Sequence, residues 1–272
     1  VDADKHLKLL IQKVVFTITF VGIISEAKTG LGKREMNKTG IEYVDFTWNP
    51  ITGCTKCSPG CDHCYAERMA KRFAGRFGYP KDNPFAPGTF HADKLDEPLK
   101  LKKPSKIFVC SMGDLFHNSV DFEVFLKVME VIAECAQLTF LFLTKRPKNM
   151  KFRLTSFDIR KFPNVWLGVT VCNQEEADAK IPVLFTIPAV KRFVSIEPIL
   201  GPVSLQEYVG NGGLDWVISG SETGTKARPA ELDWFSSLRK QCRVSGTPFF
   251  LKQITAKGND HLCGTQSKEF PE

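Results

Sequence analysis

The stretch CTKCSPGCDHC, residues 54–64, brings four thiols into eleven positions. Thiolates are soft ligands, so clustered cysteines point first to a metal centre. Cys57, Cys61 and Cys64 read C-x3-C-x2-C. Three thiolates leave one iron of a four-iron cubane without a protein ligand, and that open corner can accept an amine and a carboxylate from a small molecule. The same residues also form two pairs, Cys54-x2-Cys57 and Cys61-x2-Cys64, as a zinc site would use. Only three residues part these pairs, whereas structural zinc sites leave about a dozen. Inert thiols are the third reading. The chain's nine cysteines do not indicate a disulfide scaffold, because such scaffolds are shorter and spread their cysteines along the chain. Cys135, Cys172, Cys242 and Cys263 show no ligand spacing and read as packing residues.

Such a loop needs a frame. Beyond residue 46 short apolar runs alternate with amphipathic stretches, and the expected strands are Lys106–Cys110, Thr139–Thr144, Val165–Val171, Lys191–Ile196, Trp216–Ser219 and Pro248–Lys252. Their unbroken apolar character predicts burial on both faces, as in a parallel sheet under helices. Between them, Asp121–Ala136 sets Phe122, Phe125, Met129, Ile132 and Ala136 at helical intervals. Asn173 with Glu176 resembles a capping box, and Pro229–Arg243 carries proline near its first turn. The predicted fold is α/β: a full or partial (βα) barrel of about six parallel strands, TIM-barrel-like, with an open doubly wound sheet as the other solution. Both place function at the carboxyl ends of the strands. There the sequence reads SMGDLFH, TKRP, TVCNQEE, IEPILGP, SGSETG and KQ, so Asp114, Lys145, Glu197, Glu222 and Lys252 are expected to face one mouth. Singly, each could equally be a polar residue solvating a loop. SGSETG is no phosphate fingerprint, since its spacing fails G-x-G-x-x-G.

YAERMAKRFAGRF, residues 65–77, predicts a helix that buries Ala66, Met69, Ala70, Phe73 and Phe77. Arg68, Lys71, Arg72 and Arg76 then form a ridge, which is either a solvated face or a phosphate-attracting surface extended by Lys145 and Arg146. The net charge of +7 fits an anionic partner such as a nucleotide or nucleic acid. VVFTITFVGII, residues 14–24, falls short of the roughly 18 apolar residues of a membrane span. It reads as a buried strand or a weak signal core, and no membrane partner is expected. The chain opens on Val1, while Met36 stands just before the motif-rich sequence. Residues 1–35 are therefore expected to be an extension translated from upstream of the start, with residues 36–272 a single domain residing in the cytoplasm.

Cysteine spacing, repeated βα units and acidic strand ends together resemble the radical S-adenosylmethionine superfamily. More narrowly, FTWNPITGCTKCSPGCDHCYAERMAKR, IFVCSMGDLFH, FLTKRP, NVWLGVTV, RFVSIEPILGP, WVISGSETG, ARP and PFFLKQ occur in that order between Gly40 and Phe270. They are similar to the motifs of a phage-associated family named after gene products thirty-seven and sixty-eight of bacteriophages, a domain of unknown function. The family resemblance implies Cys54, Cys61 and Cys64 as the catalytic cluster ligands, since the position of Cys57 is commonly valine there. Superfamily spacing favours Cys57 instead, so all four cysteines stand as metal-ligand candidates. Ser221 replaces a usual glycine, and LCGT at 262–265 replaces a usual Asp-Gly-Arg.

The implied cofactors are a 4Fe-4S cluster and S-adenosylmethionine, served by an electron donor of the flavodoxin or ferredoxin type. Reductive cleavage of the sulfonium would give a 5′-deoxyadenosyl radical that takes a hydrogen atom from substrate, with the protein supplying binding and orientation. In this reading Tyr65, with His63, lies where an aromatic meets the adenine. Ser111, Gly113 and Asp114 form the small-residue turn that receives the amine, and Glu197 and Glu222 offer acceptors to ribose hydroxyls. Lys145 and Lys252 complete the cofactor-binding set. Cys110, ending a strand, is a buried thiol or a radical relay. A nucleotide or nucleic-acid substrate suits a phage-associated family; the other reading is a zinc-stabilised nucleic-acid-binding phage protein without catalysis.

Overall fold

The structure is a computed structural model that describes residues 36, 38–155, 158–224, 226–254 and 267–272. The extension at 1–35, its apolar run at 14–24, Cys263 and the LCGT stretch lie outside the described residues. The strands are β1 Phe46–Trp48, β2 Ile51–Thr52, β3 Thr89–Phe90, β4 Ser105–Val109, β5 Leu138–Thr144, β6 Val165–Val171, β7 Lys191–Ile196, β8 Trp216–Ser219 and β9 Phe249–Leu251. The helices are α1 Tyr65–Arg72, α2 Phe122–Glu134, α3 Pro147–Thr155, α4 Gln174–Phe185 and α5 Leu232–Ser245.

Seven strands make one all-parallel sheet in the order β1-β4-β5-β6-β7-β8-β9, while β2 and β3 form a separate antiparallel pair. The sheet is an open half-barrel, because β1 and β9 end it without pairing to each other. All six expected strands are present to within a residue or two, and β1 is the addition. Side chains alternate across each strand. One set, including Ile107, Phe140, Leu167, Val169, Val194, Val217 and Phe249, packs in the large core with the buried faces of the helices. The opposite set, Leu141, Phe193, Trp216, Ile218 and Phe250, makes a smaller cluster closed by Tyr43. The Tyr43 ring meets Trp216 and Phe250 edge-on at 5.7 Å. Gly168 makes room there, since a Cβ on it would lie 2.4 Å from the Phe193 ring.

Local chemistry sets the helix ends. Asp121 caps α2 by accepting from Glu123 N at 2.7 Å, and Asn173 caps α4 by accepting from Glu176 N at 3.0 Å. Glu176 bonds Cys172 N at 2.9 Å instead of closing a reciprocal capping box. Gly246, at φ 72°, stops α5, which begins at Leu232 rather than Pro229. The buried stripe of α2 is Phe125, Val128, Met129, Val131 and Ile132; of the residues expected inside, Ala136 lies past the helix end at Glu134 and Phe122, the first helical residue, is exposed. Pro147 opens α3 directly after the strand-end residues Thr144, Lys145 and Arg146. α1 ends at Arg72, so Phe77 falls beyond it and is 60% exposed, against the expectation of burial. Among the described residues no helix is long and apolar enough to cross a membrane.

Candidate active site

At the carboxyl ends of the sheet strands lies a cavity of about 650 Å³, within the ordinary size range of small-molecule sites. Its lining includes Tyr43, Phe108 and Leu143 from the aromatic cluster, with Ser111, Met112, Lys145, Thr170, Ser195, Glu197, Lys252 and Gln253 from the strand ends. His63, Cys64, Tyr65 and Ala66, at the start of α1, contribute a further stretch of lining. Of the expected site residues, Ser111, Lys145, Glu197, Glu222, Lys252, Tyr65 and Cys64 therefore come together on one cavity. Gly113 and Asp114 lie outside its lining.

The cysteine loop is entered through a tight crossing. Gly53, at φ 85°, pairs with Gly113, and a Cβ on Gly53 would lie 1.8 Å from the Ala86 carbonyl oxygen. Only glycine fits there. Asn49 Oδ1 accepts from Met112 N at 2.8 Å and fixes the SMGD turn beside it. Asp114 is buried and accepts from Thr144 Oγ1 at 2.8 Å and Phe116 N at 2.9 Å. Burial pushes its carboxyl up, with these hydrogen bonds and Arg146 opposing. Asp114 thus braces the strand ends from outside the cavity lining.

Arg146 continues that brace into the loop. Its Nη2 donates to Thr55 O at 2.7 Å and Thr55 Oγ1 at 2.8 Å, and reaches Cys54 Sγ at 3.8 Å. Its Nε lies 3.7 Å from Asp114 Oδ2, buried and without a hydrogen bond. His117 accepts from Ser119 N at Nδ1, so its Nε2 carries the proton shared with Thr55 Oγ1 at 2.8 Å. On the far side Arg228 locks the loop down. It donates to Pro59 O at 2.9 Å, Asp62 Oδ2 at 3.2 Å, and Glu222 through its backbone N and side-chain nitrogens at 2.6–3.0 Å. His63 Nδ1 adds a bond to Glu222 Oε2 at 2.9 Å. Burial would raise the Glu222 carboxyl, but these donors overcome it and hold it at about 2.

The thiols themselves are unequal. A hydrogen bond from Cys57 holds Cys61 down at about 5, with Lys145 helping, and the same sharing pushes Cys57 well up. Burial raises Cys54 to about 11, Asp114 adding to the rise and Arg146 opposing it. Burial alone would lower Lys145, but the charges of Cys61, Cys172, Cys64 and Cys57 overcome it and raise it. Lys145 makes no ion pair with a carboxylate among the described residues. Among those residues, no three His, Cys, Asp or Glu side chains form a closed ligand set as placed. The donor chemistry nevertheless fits a thiolate-ligated cluster: Cys54, Cys57 and Cys61 interact, Cys64 faces the cavity, and two cations flank them. Cys110, at φ 57°, is buried, and its thiol is pushed well up by burial.

Two further carboxylate contacts shape the opposite wall. Glu197 Oε1 pairs with Lys252 Nζ at 3.0 Å, and its Oε2 accepts from Ser195 Oγ at 3.2 Å. Sequence reasoning missed Asn49, Arg146 as a loop anchor, and Arg228, although the last lies in the ARP motif.

Residues 38–270 match a family described as proteins of unknown function, DUF5131. The chain belongs to that family. The fold of this DUF5131 protein is similar to that of spore photoproduct lyase. A structure of that protein complexed with dinucleoside spore photoproduct aligns with a TM-score of 0.55 at 10% identity, over 90% of this chain and 94% of that one. A mutant of it with bound AdoMet and dinucleoside spore photoproduct aligns with a TM-score of 0.51 at 10% identity, over 81% and 79%. At such identity the likeness is one of fold. No curated protein matches the sequence.

Proposed function

We propose that this DUF5131 protein is a radical S-adenosylmethionine enzyme acting on a nucleotide or nucleic acid in the cytoplasm. The observation that carries this reading is the cysteine loop, anchored beside a cavity at the carboxyl ends of an open parallel half-barrel. AdoMet bound to a protein of the same fold supports it. Cys54, Cys61 and Cys64 would hold a 4Fe-4S cluster, with Cys57 able to substitute. When bound, such a cluster supplies an electron to a sulfonium at low potential.

The remaining work falls to the chain's own side chains. Lys145 and Arg146 offset the negative charge of the thiolates and any anionic centre they carry. Lys145, free of carboxylates, is placed to take the AdoMet carboxylate, and the backbone at Ser111–Met112, fixed by Asn49, to take its amine. Glu197 offers an acceptor to ribose hydroxyls. Tyr65 and Ala66 give the adenine a flat apolar contact. Glu222 serves the loop through Arg228 and is only secondarily available to ligand. The apolar floor around Tyr43 keeps water from the base of the cavity.

Anaerobic reconstitution with iron and sulfide should give a brown protein with absorbance near roughly 400 nm. With a strong reductant or a flavodoxin-type donor it should release 5′-deoxyadenosine from S-adenosylmethionine. A colourless protein carrying one zinc on all four thiolates would sink the reading in favour of a zinc-stabilised nucleic-acid-binding protein.

A further inference from the structure

α1 leaves the cavity carrying cations that no carboxylate among the described residues neutralises. Of its charges, Glu67 is matched by Lys71 at 2.7 Å. Arg68, Arg72 and Arg76 make no ion pair with a carboxylate among the described residues. Arg68 is continuous with the site: a Cβ on Gly224 would lie 2.6 Å from its Nη1, and neighbouring Thr223 lines the cavity. Arg76 Nη2 donates to Arg72 O at 2.7 Å, which folds the Arg76 side chain back against the helix end, while Arg72 Nη1 reaches Met69 Sδ at 3.9 Å.

Aromatic rings interleave with these cations. Tyr65 is 57% exposed with the Arg68 guanidinium 5.6 Å from its ring centre. Phe77 is 60% exposed with Arg76 at 5.9 Å. Phe77 sits at φ 54° between Gly75 and Gly78, both also at positive φ. A bulky residue in that region costs about 1–3 kcal/mol, and burial of its ring does not offset the cost. Glycine would serve such a turn better; the ring meets Phe73 edge-on at 5.5 Å and leaves most of its surface to solvent.

We infer that α1 and the turn after it form a landing track for single-stranded nucleic acid, with phosphates on Arg68, Arg72 and Arg76 and an unpaired base on Phe77. Guanidinium groups supply phosphate attraction, and exposed rings supply sequence-tolerant stacking. A free mononucleotide has no use for a surface reaching this far from the cavity, so the substrate class becomes a polymer. The track presupposes the nucleic-acid substrate proposed above for the cavity.

The test is fluorescence anisotropy of the full chain with a labelled oligothymidylate of about 12 nucleotides. Phe77→Gly should weaken binding about tenfold, while thermal stability stays level or rises because glycine accepts the positive φ. Arg72→Ala with Arg76→Ala should flatten the dependence of log K on log salt by about 1.5. Variants that bind like the wild type, or a duplex bound as tightly as the single strand, would overturn the track. Unchanged oligonucleotide binding with slowed reduction by a flavodoxin-type donor would assign the ridge to an acidic protein and also overturn it. Binding needs no turnover, so ridge-dependent binding by a protein that forms no 5′-deoxyadenosine supports the track while sinking the enzymatic reading.

Discussion

Glu197 follows β7 and Glu222 follows β8, and the two neighbouring strands present their carboxylates to the same cavity. Their surroundings differ. Glu222 is 5% exposed at its side chain and takes bonds from the backbone and side chain of Arg228 and from His63. Glu197 has one cation, Lys252, a serine hydroxyl and a long bond from Gln253 Nε2 at 3.5 Å. The saturated carboxylate faces the cysteine loop, while the unsaturated one faces the wall where ligand must be held. Two neighbouring strand ends, with carboxylates one residue past β7 and three past β8, have thus divided into an anchor and a receptor. The strand ends alone do not say which is which, because the difference comes from Arg228, six residues beyond Glu222 in a following loop.

The sharpest way to break the contrast is Arg228→Ala. It strips Glu222 of its main partner and frees Asp62 and Pro59, so stability should fall by about 2 kcal/mol, below the ~3–5 of a fully buried pair because the guanidinium is partly solvated. Urea unfolding reads the loss, and iron retained after reconstitution should fall with it. Glu197→Gln should leave stability within about 1 kcal/mol yet weaken S-adenosylmethionine binding about tenfold, measured by equilibrium dialysis. An equal loss of stability in both variants would erase the distinction. A third test is in pH. With its folded carboxyl at about 2 against an ordinary 4.5, Glu222 contributes stability that is present above about pH 4.5 and lost as pH falls through about 2. Unfolding at stepped pH across that window should show a flatter slope for Glu222→Gln than for the wild type.

Much of the frame was legible because parallel strands buried on both faces announce themselves as apolar runs, as in VWLGVTV and FLFLT. The cysteine loop and four of the five charged strand ends were legible for the same reason, since strand direction fixes where they emerge. β1 escaped notice because three residues, Phe46–Trp48, are too few to show a period. Asp114 was expected in the mouth but turns to Thr144, a contact 30 residues distant in sequence that no local pattern encodes. The outward turn of Phe77 did have a signal, Gly75, which breaks the helical spacing that made the ring look buried.

An unclosed barrel has two raw borders, and both are dressed. Lys38 bridges to Phe46 on one side; on the other, Lys268 bridges to Phe250 and Leu251 N donates to Ser267 O at 2.8 Å. Lys268 also pairs with Glu42, tying the two dressings to each other. Strand borders left bare recruit foreign strands, so among the described residues this short hem covers both borders of the seven-stranded sheet and gives a second molecule less bare edge to pair with.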